Sequence, residues 1–130
     1  MIMKKVLDAV TEFHKAFNHP LASKPCIPDI KVCELRAALM EEENNEYLEA
    51  CINNDLVEVA DALGDKLYIL AGTMLAHGMQ DKIMEIFNEI HRSNMSKLGT
   101  DNKPVKRADG KVLKGPDYFS PDILSILEKK

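Results

Sequence analysis

Between Ile30 and His77 the sequence breaks only once, at Asn53-Asn54-Asp55. No proline lies within the segment. A connection this short permits little besides an antiparallel hairpin of two long helices. The spacing predicts helices over 30–51 and 56–77, with Asp55 as N-cap of the second and His77-Gly78 as its close. Whatever else the chain does must be built around this hairpin.

The remaining elements follow from simpler patterns. Val6, Val10, Phe13 and Phe17 recur at helical spacing and predict a first helix over 3–18. Pro20, Pro25 and Pro28 make 19–29 an irregular connector. Ile83, Ile86, Phe87 and Ile90 mark one side of a helix over 80–97, and Ile123, Leu124 and Leu127 a short last one. Residues 98–121, rich in Gly, Pro, Lys and Asp, read as an extended arm. With Trp absent and aromatics at 5%, packing by Leu, Ile, Val, Ala and Met is favoured over a β-sandwich, and Met74, Met84 and Met95 read as core filler. The expectation is one all-α domain over 1–130, a four- to five-helix bundle with an irregular basic C-terminal arm.

Charge is unevenly spread. Residues 1–91 sum to −8, residues 92–114 to +5 and residues 115–130 to −1. An acidic body with one basic segment does not suit a nucleic-acid reader, which would be basic overall, so no nucleic-acid partner is expected. No 18-residue apolar run exists, so no membrane partner is expected either. Cys26, Cys33 and Cys51 form no CxxC pair, and the start Met-Ile-Met-Lys-Lys lacks the pattern of a signal peptide. Reduced thiols and a cytoplasmic location are the expectation.

The acids of the two long helices are placed against the usual rule. On a wheel at about 100° per residue, Leu35 and Leu39 set the buried stripe of the first, and Glu42 and Glu46 fall on the same azimuth, with Glu43 and Glu49 beside them. A solvated acidic face explains Glu41, which lies opposite, and explains Glu46 poorly. The second long helix carries a seam of Leu56, Ala60, Leu63, Leu67, Leu70 and Met74, and its far face holds Ala62, Ile69, Gly72 and Ala76. A helix apolar almost all round belongs at the centre of its fold. On that far face sit Glu58, Asp61 and Asp65, with Lys66 projecting elsewhere.

Folding the hairpin about its turn sets Glu43 level with Asp61 and Glu46 level with Glu58. Unpaired buried carboxylates cost several kcal/mol each, so these must be protonated, paired or bound to metal. Hard oxygen donors alone favour Mg²⁺ or Mn²⁺ over zinc. Two other readings stay open: Asp55-x-x-Glu58 as a capping box, and all four acids as a solvated face. A carboxylate-bridged di-iron bundle is disfavoured, because no Glu-x-x-His pair occurs.

At this point the sequence resembles a family. Glu43-x-x-Glu46 followed by Glu58-x-x-Asp61 is similar to the ExxE…ExxD signature of the all-α NTP pyrophosphohydrolases, which include MazG-like proteins, dimeric dUTPases and phosphoribosyl-ATP pyrophosphohydrolases. The tail HRSNMSKLGTDNKPVKRADGKVLKGPDYF is similar to a MazG-like branch described as phosphoribosyl-ATP pyrophosphohydrolase-like. The resemblance implies Mg²⁺-dependent cleavage of a nucleoside triphosphate, or a related nucleotide, between its α- and β-phosphates, with Mn²⁺ as a substitute ion. It implies Glu43, Glu46, Glu58 and Asp61 as metal ligands, and Glu42 or Glu43 as the group orienting the attacking water. Asp65 receives no family role and is expected behind the ligands. The resemblance also implies a homodimer or homotetramer.

Asn94 and Lys97, with Arg92 adjacent, are candidate phosphate ligands; basic residues suiting a helix C-terminus are the alternative explanation, and the resemblance favours phosphate binding for Asn94 and Lys97. His14 and Asn18 on the first helix are candidates for reading a nucleobase, as first-helix residues do in the dimeric dUTPases. The function expected is hydrolysis of an NTP or dNTP to the monophosphate and pyrophosphate, for nucleotide-pool cleaning or a dUTPase-like role. The alternatives are a phosphoribosyl-ATP pyrophosphohydrolase, against which the long arm counts, and a non-catalytic assembly that binds nucleotide or metal.

Overall fold

The computed structural model describes residues 1–129. They form five α-helices and one two-residue β-hairpin, and the chain divides into two compact units, Met1–Asp81 and Lys82–Lys130. The all-α expectation holds.

The first unit is a three-helix bundle of α1 (Ile2–Ala16), α2 (Ile30–Ile52) and α3 (Leu56–Ala76), with α3 packed against both others. The α2–α3 turn closes as its sequence demands. Asn54 takes the left-handed region at φ 52, which asparagine tolerates. Asp55 Oδ1 accepts a hydrogen bond from Glu58 N at 3.1 Å and caps α3. The Asp55 N–H is already given to the Ala50 carbonyl at 3.0 Å, so Glu58 does not reach back as a capping-box partner.

The proline-rich connector is an ordered strap along the far end of α3. Ala22 N donates to Leu75 O, Cys26 N donates to His77 O, and the Gln80 side-chain amide donates to Ala22 O. Gly78, at φ +68, lets Lys24 lie so close that an added Cβ would stand 2.0 Å from the Lys24 carbonyl oxygen.

The predicted buried faces are rotated from the observed ones. On α1 the buried residues are Leu7, Val10 and His14, and Phe17 is 62% exposed. On α2 Leu35 is exposed, and the inward stripe runs through Arg36, Glu43 and Ala50. On α3 the order is reversed: Ala62, Ala71, Gly72, Leu75 and Ala76 face the bundle, while Leu56, Leu63, Leu67 and Leu70 are exposed. The physical reason is close approach. Small side chains let α1 and α2 lie near the α3 backbone, and a helix apolar all round offers no periodicity by which sequence alone could choose its inner side.

The second unit holds α4 (Ile83–Met95), β1 (Val105–Lys106), β2 (Val112–Leu113) and α5 (Ile123–Glu128). β1 and β2 pair antiparallel, with Val105 opposite Leu113, so the predicted irregular arm contains a small hairpin. Gly115 N donates to Lys97 O, Ser93 Oγ donates to Phe119 O, and Ser96 Oγ accepts from Phe119 N, which fixes the return of the chain to α4.

Candidate active site: a carboxylate cleft between α2 and α3

A cleft of about 510 Å³ opens along the turn end of the α2–α3 hairpin. Its walls are Glu43, Glu46, Glu49, Ala50 and Asn53 from α2 and its end, and Asp55, Glu58, Asp61, Ala62 and Asp65 from α3 and its cap. No lysine or arginine lines it. Lys66 is drawn away, its Nζ 5.3 Å from the centre of the Tyr47 ring.

Within the cleft, one carboxylate oxygen each from Glu43, Glu46 and Asp65 lies within 4.8 Å of the others. Glu43 Oε2 is buried and has no hydrogen-bond partner. Burial pushes the Glu43 carboxyl up to about 7, and the neighbouring Glu46, Asp65 and Glu42 carboxylates push it the same way. The donor set is oxygen only, negative and incomplete, so it fits a hard divalent cation.

All four sequence-expected ligands line the cleft, and two of them, Glu43 and Glu46, belong to the tight cluster. Glu58 and Asp61 do not, and its third member is Asp65. Level backbones do not make level side chains. On each helix the side chains lean toward that helix's N-terminus, so α2 side chains lean away from the turn and α3 side chains lean toward it. Glu43 consequently meets an acid one turn beyond Asp61. The like-charge spacing of Asp61 and Asp65 was the available signal. Glu42, although adjacent to Glu43, is exposed and does not line the cleft.

The first-helix candidates differ from each other. His14 is 2% exposed, its Nδ1–H given to the Pro20 carbonyl at 2.9 Å, and burial lowers its pKa. Presenting it to a nucleobase would require α1 to move. Asn18, at φ 56, is exposed just past the end of α1.

In the second unit Arg92 is already engaged. Its guanidinium donates to Glu89 at 2.8 Å and lies 4.2 Å from the centre of the Phe119 ring. Asn94 is exposed and Lys97 half-buried. Tyr118 is pulled below its ordinary pKa by hydrogen bonding with Ser93 and Ser120, and by the charges of Lys114 and Lys97. Two lysines thus gather at one tyrosine.

The acids on which the resemblance to the all-α NTP pyrophosphohydrolases rests thus line one cleft between α2 and α3. The sequence profile of the phosphoribosyl-ATP pyrophosphohydrolase family matches residues 10–94. The chain belongs to that family, and its class is that of the nucleotide pyrophosphohydrolases. In structure it resembles a candidate NTP pyrophosphohydrolase from Exiguobacterium sp. 255-15, with a TM-score of 0.50, 25% identity, and coverage of 92% of this chain and 90% of that one. In sequence it is 37% identical over 68 residues to the uncharacterized protein L479 of Acanthamoeba polyphaga mimivirus. That match covers 49% of this chain, and the chain spans only 27% of that curated relative's length.

No helix among the described residues is long and apolar enough to cross a membrane.

Proposed function

We propose that this chain, acting as one MazG-like domain, hydrolyses a nucleoside triphosphate or deoxynucleoside triphosphate to the monophosphate and pyrophosphate. The observation that carries the reading is the unpartnered Glu43 Oε2 beside the Glu46 and Asp65 carboxylates. Glu43, Glu46 and Asp65 would hold Mg²⁺, or Mn²⁺ in its place, with Glu58 and Asp61 completing the wall on the α3 side. A bound divalent ion supplies charge neutralisation to the phosphates and polarises the attacked phosphorus.

The chain's own groups do the rest. Glu42 does not line the cleft, so orienting the attacking water and taking its proton falls to an acid of the cleft wall that the tight cluster leaves free, Glu58 or Asp61. Asn94 and Lys97 bind phosphate oxygens as donor and point charge, and Lys114 adds a second cation at Tyr118. Arg92, held by Glu89 and Phe119, orders that segment. Asn18 is the base contact we favour at the end of α1. The exposed leucines of α3, with Leu35 and Leu48 on α2, support assembly as a homodimer or homotetramer. Nucleotide-pool cleaning in the cytoplasm, in a dUTPase-like manner, is the corresponding role.

A second reading, phosphoribosyl-ATP as substrate, is favoured by the matching family's description. One assay addresses both. Pyrophosphate release is measured from a panel of canonical and damaged NTPs and dNTPs and from phosphoribosyl-ATP, with and without Mg²⁺ or Mn²⁺. Metal-dependent release from one substrate is expected and names the base. No release across the whole panel would sink the catalytic reading.

A further inference from the structure

The same helix pair that lines the acidic cleft buries a charge of the opposite sign further along. Arg36 is 4% exposed and has no carboxylate partner among the described residues. Its Nε donates to Thr73 Oγ1 at 3.1 Å and its Nη2 to the Ile69 carbonyl at 2.8 Å. Gly72 makes room for it: an added Cβ there would stand 2.6 Å from Arg36 Nη2 and 2.7 Å from His14 Nε2. A buried guanidinium held only by neutral acceptors is poor at adding stability. Neither acceptor depends on it, because Thr73 Oγ1 itself donates to the Ile69 carbonyl at 2.8 Å. A rigid fork of donors, however, suits the fixing of one helix against another.

The positions along the helices show what is fixed. Arg36 and Glu43 are seven residues apart on the inward stripe of α2, about 10.5 Å of helix rise. Ile69 and Thr73 lie one and two turns beyond Asp65 on α3. We propose that Arg36 is a positioning residue: by tying α2 to the Ile69–Thr73 turn of α3, it sets the separation of Glu43 and Glu46 from Asp65. This rests on the cation-binding reading of the cleft given above.

The test is Mn²⁺ binding to the full chain, by calorimetry and by the spin-resonance signal of the bound ion, alongside thermal unfolding. Arg36→Met removes the fork, and Gly72→Ala displaces it while leaving the arginine in place. Both are expected to weaken Mn²⁺ binding by about 3- to 10-fold, less than the roughly 10- to 100-fold typical of groups that touch a metal ligand directly. Thr73→Val removes one acceptor and is expected to act in the same direction, which covers the case of a variant that fails to fold.

The sign separates positioning from charge, since losing a nearby cation by electrostatics alone would tighten Mn²⁺ binding. Leu75→Ala, a core truncation one turn past Gly72 that removes none of the fork's hydrogen bonds, controls for stability. It should lower Tm yet bind Mn²⁺ as the parent does. Unchanged or tighter binding in Arg36→Met and Gly72→Ala overturns the proposal. So does an equal loss in Leu75→Ala. Absence of Mn²⁺ binding by the parent protein sinks the cation reading itself, a different result.

Discussion

Two ends of one helix pair hold buried charge, and they hold it differently. At Arg36 the buried donors find neutral acceptors on α3. At Glu43, seven residues on, a buried carboxylate oxygen finds none, and its neighbours are other carboxylates. The first arrangement is complete within the chain. The second is complete only with something added, and a native fold retains such an orphan where a ligand or a proton takes its place. The difference separates a group that organises the pair from a group that awaits a substrate's counter-ion.

The largest effect should come from removing the waiting charges. Glu46→Gln and Asp65→Asn keep shape and remove a negative ligand. Each is expected to cut metal-dependent pyrophosphate release by about 10³-fold, roughly 4 kcal/mol of transition-state stabilisation. Asp61→Asn, on the cleft wall outside the tight cluster, should cost only about 10- to 100-fold. Steady-state kinetics on the best substrate decides between the two aspartates. If Asp61→Asn proves the more damaging, the level pairing read from sequence is right and the leaning of side chains is a poor guide here.

That contrast also marks how far the sequence was legible. The three-residue turn fixed the helix hairpin, and the acids on its apolar stripes located the cleft, because like charge crowded onto a would-be core face has few stable explanations. The choice of Asp65 was not legible, since it depends on side-chain direction rather than spacing. Nor was the inner face of α3, where leucines crowd one side and small residues the other. Leucine looks like core in any single-chain reading, and only the close approach of α1 and α2 shows that the alanines and glycine lie inside. Arg36 gave no signal beyond its place one turn before Leu39 and Met40 and two turns before Glu43.

A smaller effect should appear in the pH dependence of stability without metal. The Glu43 carboxyl is raised from 4.5 to about 7 in the folded chain. Between those values the folded state holds a proton that the unfolded state has released, so stability falls as pH rises through that window. The metal-free protein is therefore expected to lose Tm from pH 5 to pH 7 at this site, and saturating Mg²⁺ should restore it above pH 7. Glu43→Gln should flatten this part of the profile and make the metal-free protein more stable at neutral pH, while ending the response to Mg²⁺. Tm measured across the window, with and without Mg²⁺, is the check. A parent profile that rises toward pH 7 would mean that Glu43 has a partner and is no orphan.

The smallest effect tests whether every acid in the cleft is waiting. Asp55 lines the same wall as Glu58 and Asp61, yet its Oδ1 is committed to the backbone N–H of Glu58 at the start of α3. A carboxylate in that place satisfies a donor that the helix cannot satisfy itself, and it faces the positive end of the helix dipole. Asp55→Ala is accordingly expected to cost about 1 kcal/mol in urea unfolding, the usual value of an N-cap. Asp55→Asn, which keeps the accepting oxygen, should recover most of that. Because Asp55 is already satisfied, metal affinity should stay within about threefold in both variants, as expected for one charge lost near, but not at, the cation. A tenfold or greater loss in Asp55→Asn would place Asp55 among the ligands, and would move the boundary between organised and waiting charge to the first residue of the α3 cap.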